Sequence, residues 1–341
     1  MHLDKKHSIS IPHIALEVNN SCNQNCVFCY NHIPHIKCNH ESKYGNLKKV
    51  LKKIYSQAEI NSISFTGGEP LLEGRLSELV MYAKMKKSLT TIISNGTLFS
   101  EQILKELTLI KNDLFQLPVH SFLSEVHDNM TGLSGSHEES VNAIKKLNSF
   151  KANVVAVIVL TSMNQEDISQ TIDFIVNLGV NQISVDRYNI GGTNKNSAGK
   201  ILPDLNQIRN TYLLINKKAQ EFKLRITSNV CTPHCVLNPA DYPFIGFGNC
   251  PKNSLHFPLT LNSSGDVRVC NHSPVIAGNI FNQHIDEILD SAYVKSWNLN
   301  IPEYCRDCKL WDICRGGCRA ASEQTGADNS CVDPMIRQRK S

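Results

Sequence analysis

The sequence lacks any hydrophobic run long enough to cross a membrane. Its longest apolar stretch, around residues 152–160, is far shorter than the roughly 18 residues that identify a membrane-spanning helix. The chain begins MHLDKKHSIS, which contains no apolar signal segment. We therefore expect a protein that acts in the cytoplasm and has no membrane partner.

The sequence also lacks a strong excess of positive or negative charge and any low-complexity segment. The formal charge is only +4, and the lysines fall in short runs typical of solvated helix faces, so we expect no dedicated nucleic-acid surface. The hydrophobic content of 41% excludes disordered, collagen-like and coiled-coil chains. A length of 341 residues predicts one large domain or two moderate ones.

Cysteine, in contrast, is abundant, with 13 residues. Large chains without a secretion signal rarely form disulfides, because their compartment is reducing, and grouped thiols there usually bind metal. One group occupies Cys22–Cys29 and a second occupies Cys231–Cys331. Cys38 stands between them, and we interpret it as a free loop thiol.

Six strand-like apolar runs alternate with amphipathic helical stretches between residues 14 and 186. This alternation predicts parallel strands joined by helical crossovers. Six βα units are fewer than a closed barrel needs, so we predict an α/β fold with an open, partial (β/α)6 TIM-like barrel. The six runs are 14–18, 62–66, 90–93, 114–119, 153–160 and 182–185.

Local patterns predict the ends of two helices. Ser136 with Glu139 forms a capping-box pattern at the start of one of them. Asn164 with Asp167 opens the other, and Gly179 closes it.

The polar stretch 191–200 ends the alternation and predicts a joint between domains. We expect the barrel to span 10–195, a bridging helix and linker to span 196–240, and a cysteine-rich domain to span 241–341. That last domain has too little apolar core to fold alone without staples.

Elements beyond the barrel are fewer and shorter. The bridging helix is predicted at 205–222, and the cysteine-rich domain should contain a hairpin with strands 256–261 and 267–269. A further helix is expected near 285–291.

The first cysteine group has the spacing C-x3-C-x2-C. Three thiolates this close can wrap one face of a cubane iron–sulfur cluster and leave one iron open to an outside ligand. The spacing alone also allows a structural zinc with His32 or His35 as the fourth ligand.

Three motifs follow the first three predicted strands. Cys22 comes after the first, Gly67-Gly68-Glu69-Pro70 after the second, and Ser94-Asn95-Gly96 after the third. They should therefore meet at the carboxyl rim, where barrel enzymes keep their sites. The glycine pair would let the backbone approach a ligand, Glu69 suits an ammonium group, and Ser94-Asn95 suits a ribose.

These motifs together resemble the radical S-adenosylmethionine (SAM) superfamily over residues 14–190. The resemblance implies that Cys22, Cys26 and Cys29 hold a [4Fe–4S] cluster whose open iron binds SAM. One electron then cleaves SAM to methionine and a 5′-deoxyadenosyl radical, which abstracts hydrogen from the substrate. The implied SAM contacts are Phe28 at the adenine, Gly67, Gly68, Glu69 and Pro70 at the amino group, and Ser94 and Asn95 at the ribose.

The fourth strand departs from the family pattern. Many relatives carry Ser-x-Asp-Gly there, whereas this chain has Val119-His120-Ser121-Phe122, although His127-Asp128 and Gly132-x2-Gly135-Ser136 still match. The residue that reaches the SAM carboxylate is accordingly either Ser121 or Arg187.

The second cysteine group exceeds what one four-coordinate metal can use. The spacing alone allows two zinc sites as readily as iron. Seven of its members lie around a predicted hairpin whose turn contains Gly265, and they are Cys250, Cys270, Cys305, Cys308, Cys314, Cys318 and Cys331.

This arrangement resembles the SPASM domain of radical SAM enzymes that mature peptides and proteins, with further agreement at Gly278-Asn279-Ile280 and Gly316-Gly317-Cys318. The resemblance implies two auxiliary [4Fe–4S] clusters, and therefore three clusters in all. Cluster I would take Cys250, Cys270 and Cys318, and its fourth ligand is Cys235, Cys231 or a substrate group, with Cys235 preferred. Cluster II would take Cys305, Cys308, Cys314 and Cys331.

We expect an oxidoreductase that crosslinks or oxidises a small ribosomally made peptide, because an auxiliary cluster can accept the electron left on a substrate radical. The alternatives are a dehydrogenase or rearranging enzyme of a small metabolite or cofactor precursor, and an electron-transfer protein without radical chemistry. Asn271-His272 replaces the acidic residue of sulfatase-maturing relatives, which disfavours that activity. Ser121, Arg187 and His272 are the candidate catalytic residues.

Expected partners follow from this interpretation. Only 21 residues precede Cys22, so we expect either a separate leader-binding protein or a small substrate. A low-potential donor such as flavodoxin or ferredoxin would supply the electron.

Overall fold

The computed structural model describes residues 9–31, 42–192, 195–326 and 332–337. Strands β1 to β13 are Ile9–Ile11, Ile14–Asn19, Ala58–Ile60, Ser62–Gly67, Leu89–Ile93, Leu114–Pro118, Val154–Leu160, Gln182–Arg187, Arg225–Ser228, Ile245–Phe247, Leu259–Leu261, Asp266–Arg268 and Gly278–Asn279. Helices α1 to α13 are Tyr44–Gln57, Leu76–Met85, Glu101–Leu109, Ser124–Thr131, Ser136–Ser149, Ile168–Asn177, Ala198–Ile201, Leu205–Phe222, Ile285–Leu289, Ala292–Leu299, Trp311–Cys314, Arg319–Gln324 and Pro334–Arg337. No helix in these ranges is long and apolar enough to cross a membrane.

One curved sheet forms the centre of the molecule. Its strand order is β10-β9-β8-β7-β6-β5-β4-β2-β11-β12-β13, and a separate parallel pair joins β1 to β3. The six predicted strands are β2 and β4 to β8; they are consecutive and parallel, with helices in the connections. The predicted open barrel is confirmed, and β9 and β10 add two parallel strands that were not predicted.

The C-terminal hairpin continues the same sheet. β11 pairs in parallel with β2, in the register Leu259 opposite Ile14 and Leu261 opposite Leu16. β12 and β13 follow as antiparallel strands. Because one sheet runs through the barrel and the cysteine-rich region, the boundaries at 195 and 240 stay a prediction.

The strand sequences explain the layering. In β7, Val154, Ala156, Ile158 and Leu160 are buried and their neighbours are half-buried, so one face packs on helices while the other lines the inside of the sheet. Full burial of each large aliphatic side chain contributes about 1.5–3 kcal/mol.

A polar cavity of about 520 Å³ lies inside the curve. It reaches the first residues of several strands, including Ser62, Leu89 and Arg225, so it opens at the amino ends. Its further lining includes Thr91, Gln116, Val155, Ser184, Thr227 and Asn229.

The predicted capping box of α5 is wrong. Ser136 is the first residue of the helix, Gly135 occupies the cap position, and no side-chain cap comes from either Gly135 or Glu139. Asp128 at the end of α4 caps α5 instead, because its carboxylate accepts from Gly135 N at 2.7 Å and His137 N at 2.9 Å. The hydroxyl of Ser136 donates to the same carboxylate at 3.0 Å.

Two other local predictions need correction. Asn164 does not open α6, since its amide donates to the carbonyls of His120 and Val159, and the helix begins at Ile168. The hairpin strand β11 begins at Leu259, not at residue 256, because residues 254–256 form a 3-10 turn. Gly179 follows α6 with a φ of +83°, which confirms its helix-ending role.

Replacing Asp128 by Ala should lower the free energy of unfolding by about 1–2 kcal/mol, since the cap of α5 is lost. Urea unfolding followed by circular dichroism measures this. Asp167→Ala is the matched control, because Asp167 occupies the cap position of α6 without a side-chain cap bond. If both variants lowered the free energy of unfolding equally, the conclusion that Asp128 caps α5 would be contradicted.

Candidate functional site

The first cysteine loop lies directly against the glycine turn that follows β4. Gly68 N donates to Asn19 O at 3.1 Å, and Glu69 N donates to Ser21 O at 2.8 Å. A Cβ atom on Gly67 or Gly68 would overlap the backbone of these partners. The close approach predicted for the glycine pair is therefore an approach to the cysteine loop itself.

Burial and neighbouring thiols raise the pKa of the cysteines in this loop. Burial raises the pKa of Cys22 to about 11. It also raises the pKa of Cys26 well above its usual range, and the neighbouring thiols of Cys29 and Cys22 raise it further. Three thiolates here repel one another unless a cationic centre neutralises them, which is what a metal cluster supplies.

Glu69 connects the second and third motifs. Its carboxylate is fully buried and accepts from Ser94 Oγ at 2.8 Å, Asn95 N at 2.7 Å and Leu71 N at 3.0 Å. Burial raises its pKa to about 7. Asn95 in turn extends its amide nitrogen to within 3.9 Å of Cys22 Sγ, so the predicted meeting of the three motifs at the rim is confirmed.

A row of aromatic rings leads away from Phe28 and was not predicted. Phe28 packs edge-on against His120, with ring centroids 4.7 Å apart, and His120 stacks on His127 at 5.1 Å. Burial lowers the pKa of His127 to about 4, so this imidazole is neutral. Its Nδ1 atom accepts from His120 N at 3.1 Å.

The two candidates for the SAM carboxylate lie in different places. Ser121 is fully buried after β6, and its hydroxyl accepts from Leu123 N at 3.0 Å. Arg187 is not available to bind the SAM carboxylate, because its guanidinium is bound within the second cysteine group. It donates to Thr232 Oγ1 at 3.0 Å and Cys231 O at 2.8 Å, and it forms a buried ion pair with Asp333.

The second group divides into two sets of thiols. Apart from burial, the pKa of Cys231 is raised by the thiols of Cys250, Cys318 and Cys270. The pKa of Cys305 is raised to about 11 by burial and then by the thiols of Cys314, Cys308 and Cys235. The thiol of Cys231 thus lies near Cys250, Cys270 and Cys318, and the thiol of Cys235 lies near Cys305. This favours Cys231 over Cys235 for the first set, and the fourth ligand of cluster I stays a prediction.

Four residues of the predictions lie outside the described residues. They are Cys331 and the possible zinc ligands His32 and His35, together with Cys38, interpreted above as a loop thiol.

The donor chemistry fits iron–sulfur clusters. Within the described ranges no three His, Cys, Asp or Glu side chains converge as the ligands of one metal ion do. Soft thiolates grouped in one loop are the usual ligands of such clusters.

The polar groups at the rim fit a ligand with several functional groups. Buried polar atoms without a partner are rare in folded proteins, yet several follow β2, β6, β7 and β8 within the ranges described. They are Gln24 Nε2, His127 Nε2, His137 Nε2, Gln165 Oε1, Tyr188 Oη and Asn189 Oδ1. SAM, with its amine, carboxylate, hydroxyls and adenine, can satisfy such a set.

The fold and the site thus define an α/β-barrel enzyme with thiol-ligated metal centres at its carboxyl rim. The radical SAM superfamily model matches residues 16–175, and the SPASM model, an iron–sulfur cluster-binding domain, matches residues 250–309. The chain belongs to the radical SAM superfamily and carries a SPASM domain.

Individual relatives are distant. PqqA peptide cyclase of Xanthomonas campestris pv. campestris (strain 8004) is 22% identical over 95% of this chain and 86% of its own length. AdoMet-dependent heme synthase of Methanosarcina barkeri is 25% identical over 92% of this chain and 93% of its own length. The crystal structure of Streptococcus suis SuiB bound to S-adenosylmethionine superposes with a TM-score of 0.74 at 19% identity, covering 97% of this chain and 79% of that one.

SAM binding should tighten as pH rises through about 7. The family resemblance implies that Glu69 holds the ammonium group of SAM, which would prefer the ionised carboxylate. Because the pKa of Glu69 is about 7, each pH unit below that value should weaken binding up to about tenfold. Calorimetric titration of anaerobic protein between about pH 6 and pH 8 measures the effect. Glu69→Gln should bind weakly with a flat profile, and a wild-type profile equally flat would contradict this role.

Proposed function

We propose that this enzyme oxidises or crosslinks a ribosomally made peptide, using a hydrogen-abstracting radical generated from SAM. The observation that carries the proposal lies just beyond the carboxyl end of β8. There Asn189 lies within hydrogen-bond distance of both His272 and Cys318, so the second cysteine group adjoins the rim that holds the first. An electron acceptor beside the radical site is what a net oxidation requires.

The names of similar proteins support a peptide substrate. The PqqA peptide cyclase that matches 95% of this chain is named for a peptide. The solved structures of similar fold include SuiB bound to the precursor peptide SuiA, which covers 95% of this chain.

SAM bound at an iron–sulfur cluster supplies a 5′-deoxyadenosyl radical. The residues of this chain orient SAM and exclude water around it. Glu69 would hold the amino group, Ser94 and Asn95 would face the ribose, and Phe28 would pack beside the adenine. The glycine turn Gly67–Pro70 keeps Glu69 against the cysteine loop.

The proposed cofactors are SAM and three [4Fe–4S] clusters. Cys22, Cys26 and Cys29 would bind the first cluster. Auxiliary cluster I would take Cys231, Cys250, Cys270 and Cys318, and auxiliary cluster II would take Cys305, Cys308 and Cys314 with Cys235 or Cys331. The division is supported by which thiols raise the pKa of Cys231 and which raise the pKa of Cys305.

The proposed partners are a precursor peptide, a separate leader-binding protein and a low-potential donor such as flavodoxin or ferredoxin. None of the described cysteines forms a disulfide, and a reducing compartment such as the cytoplasm suits this cysteine content.

Anaerobically reconstituted protein should contain about 12 iron per chain, because each cubane holds four. Replacing Cys22, Cys26 and Cys29 together by Ala should remove about a third of the iron and all SAM cleavage. Cys231→Ala and Cys235→Ala form a matched pair that should alter the electron paramagnetic resonance of different auxiliary clusters. Stoichiometric zinc with little iron would contradict the proposal.

A short peptide encoded beside the gene should lose two mass units, or a fragment, when incubated with the enzyme, SAM and a low-potential reductant. Deuterium from the labelled peptide should appear in 5′-deoxyadenosine, with one SAM consumed per turnover. Mass spectrometry of both products measures this. Deuterium transfer from a cofactor precursor but from no peptide would instead establish the small-molecule alternative.

A further inference from the structure

Asn189 makes a side-chain contact to a sulfur of the second cysteine group. Its Nδ2 atom lies 3.3 Å from Cys318 Sγ and 2.6 Å from His272 Nδ1. The side chain is only 5% exposed. In such a buried place the local dielectric constant is low, so the hydrogen bond to the sulfur is electrostatically stronger than it would be in water.

The geometry defines the direction of both hydrogen bonds. An amide nitrogen carries two hydrogens and accepts none, so Asn189 donates to the sulfur and to the ring nitrogen together. His272 is therefore the acceptor at Nδ1. Its ring is stacked on Tyr30, with centroids 4.0 Å apart and planes inclined by 12°, which prevents the acceptor from rotating away.

A second amide locks the loop that carries His272. Gln324 Nε2 donates to His272 O at 2.8 Å, and Gln324 Oε1 accepts from Gly192 N at 3.2 Å. The segment that begins with Asn189 and the loop that follows Cys270 are thus held together at two points. Asn189 has no freedom to leave the sulfur.

A hydrogen bond to a ligating thiolate affects the redox behaviour of its metal site. The donor stabilises negative charge on sulfur, and the reduced site carries more negative charge than the oxidised one, so the bond raises the reduction potential. Other sulfurs of this group accept from the backbone, such as Cys270 from His272 N at 3.4 Å and Cys314 from His234 N at 3.2 Å. The hydrogen bond from Asn189 differs from these because its donor is a side chain, so a single substitution removes it.

We propose that Asn189 is a positioning residue that raises the reduction potential of the iron–sulfur cluster bound through Cys318, so that this cluster can take one electron from a substrate radical. The inference rests on the proposed function. In that reaction the substrate C–H bond would lose a hydrogen atom to the radical derived from SAM. The substrate radical would then give one electron to the oxidised cluster and one proton to solvent, which would complete a two-electron oxidation.

The test is an anaerobic redox titration of reconstituted protein without substrate, followed by electron paramagnetic resonance. Asn189→Leu keeps the side-chain size and removes the donor. It should lower one auxiliary midpoint potential by an amount equivalent to about a tenfold change in the oxidised-to-reduced ratio, or about 59 mV. Iron content and the other two midpoints should stay unchanged. Asn112→Leu is the matched control, since Asn112 is a buried asparagine bound to Leu114 O.

If Asn189→Leu loses the cluster bound through Cys318, a second variant tests the same inference. His272→Phe preserves the stack on Tyr30 and removes the nitrogen that orients the amide, so it should lower the same midpoint by a smaller amount. An unchanged midpoint in the cluster-bearing variant, or an equal decrease in all clusters or in Asn112→Leu, would overturn the inference. Because no substrate is present, this result is independent of whether the enzyme acts on a peptide.

Discussion

The arrangement of the cysteine-rich region depends on one buried ion pair, between Arg187 at the end of β8 and Asp333. Both side chains are almost fully buried, at 2% and 0% exposure. Such a pair is stable only when its remaining donors and acceptors are satisfied. Here Asp333 also accepts from Cys318 N at 2.8 Å and from Met335 N at 3.0 Å, so removing one partner would cost about 3–5 kcal/mol. The same arginine binds the carbonyl of Cys231, and one side chain thereby positions two metal-binding loops.

The barrel was predictable because each of its strands carries its own signal. Every predicted run contains enough buried aliphatic residues to read as a strand, and the rule that sites lie at carboxyl ends placed the motifs correctly. β9 and β10 escaped prediction because Arg225–Ser228 and Ile245–Phe247 are short and contain few buried hydrophobic residues. Their strand structure comes from pairing of β9 with β8 and of β10 with β9, which only the folded chain provides.

The errors share another physical origin. Asp128 caps a helix that begins eight residues later, so no local sequence pattern indicates this cap. Ser136 and Glu139 have the spacing of a capping box but do not form one. Likewise, spacing cannot separate Cys231 from Cys235, since both belong to a loop without periodicity. The carbonyls of both are bound by arginines from distant elements, Cys231 by Arg187 and Cys235 by Arg209, and such tertiary contacts position the two thiols. Sequence patterns therefore predict what neighbours in the chain determine, and they fail where a distant residue decides.

The segment after β8 links the two cysteine groups mechanically. Arg187 and Asn189 contact the second group. Gly192 lies so close to the first loop that a Cβ atom there would come within 2.5 Å of Cys29 O. The segment 187–192 thus contacts both metal-binding loops. The stack of Tyr30 on His272 also bridges them. Because close-packed interiors transmit displacement, loss of order in either group would disturb the other. The two sites therefore form one unit, in which the strand that ends the predicted barrel is also the support of the auxiliary site.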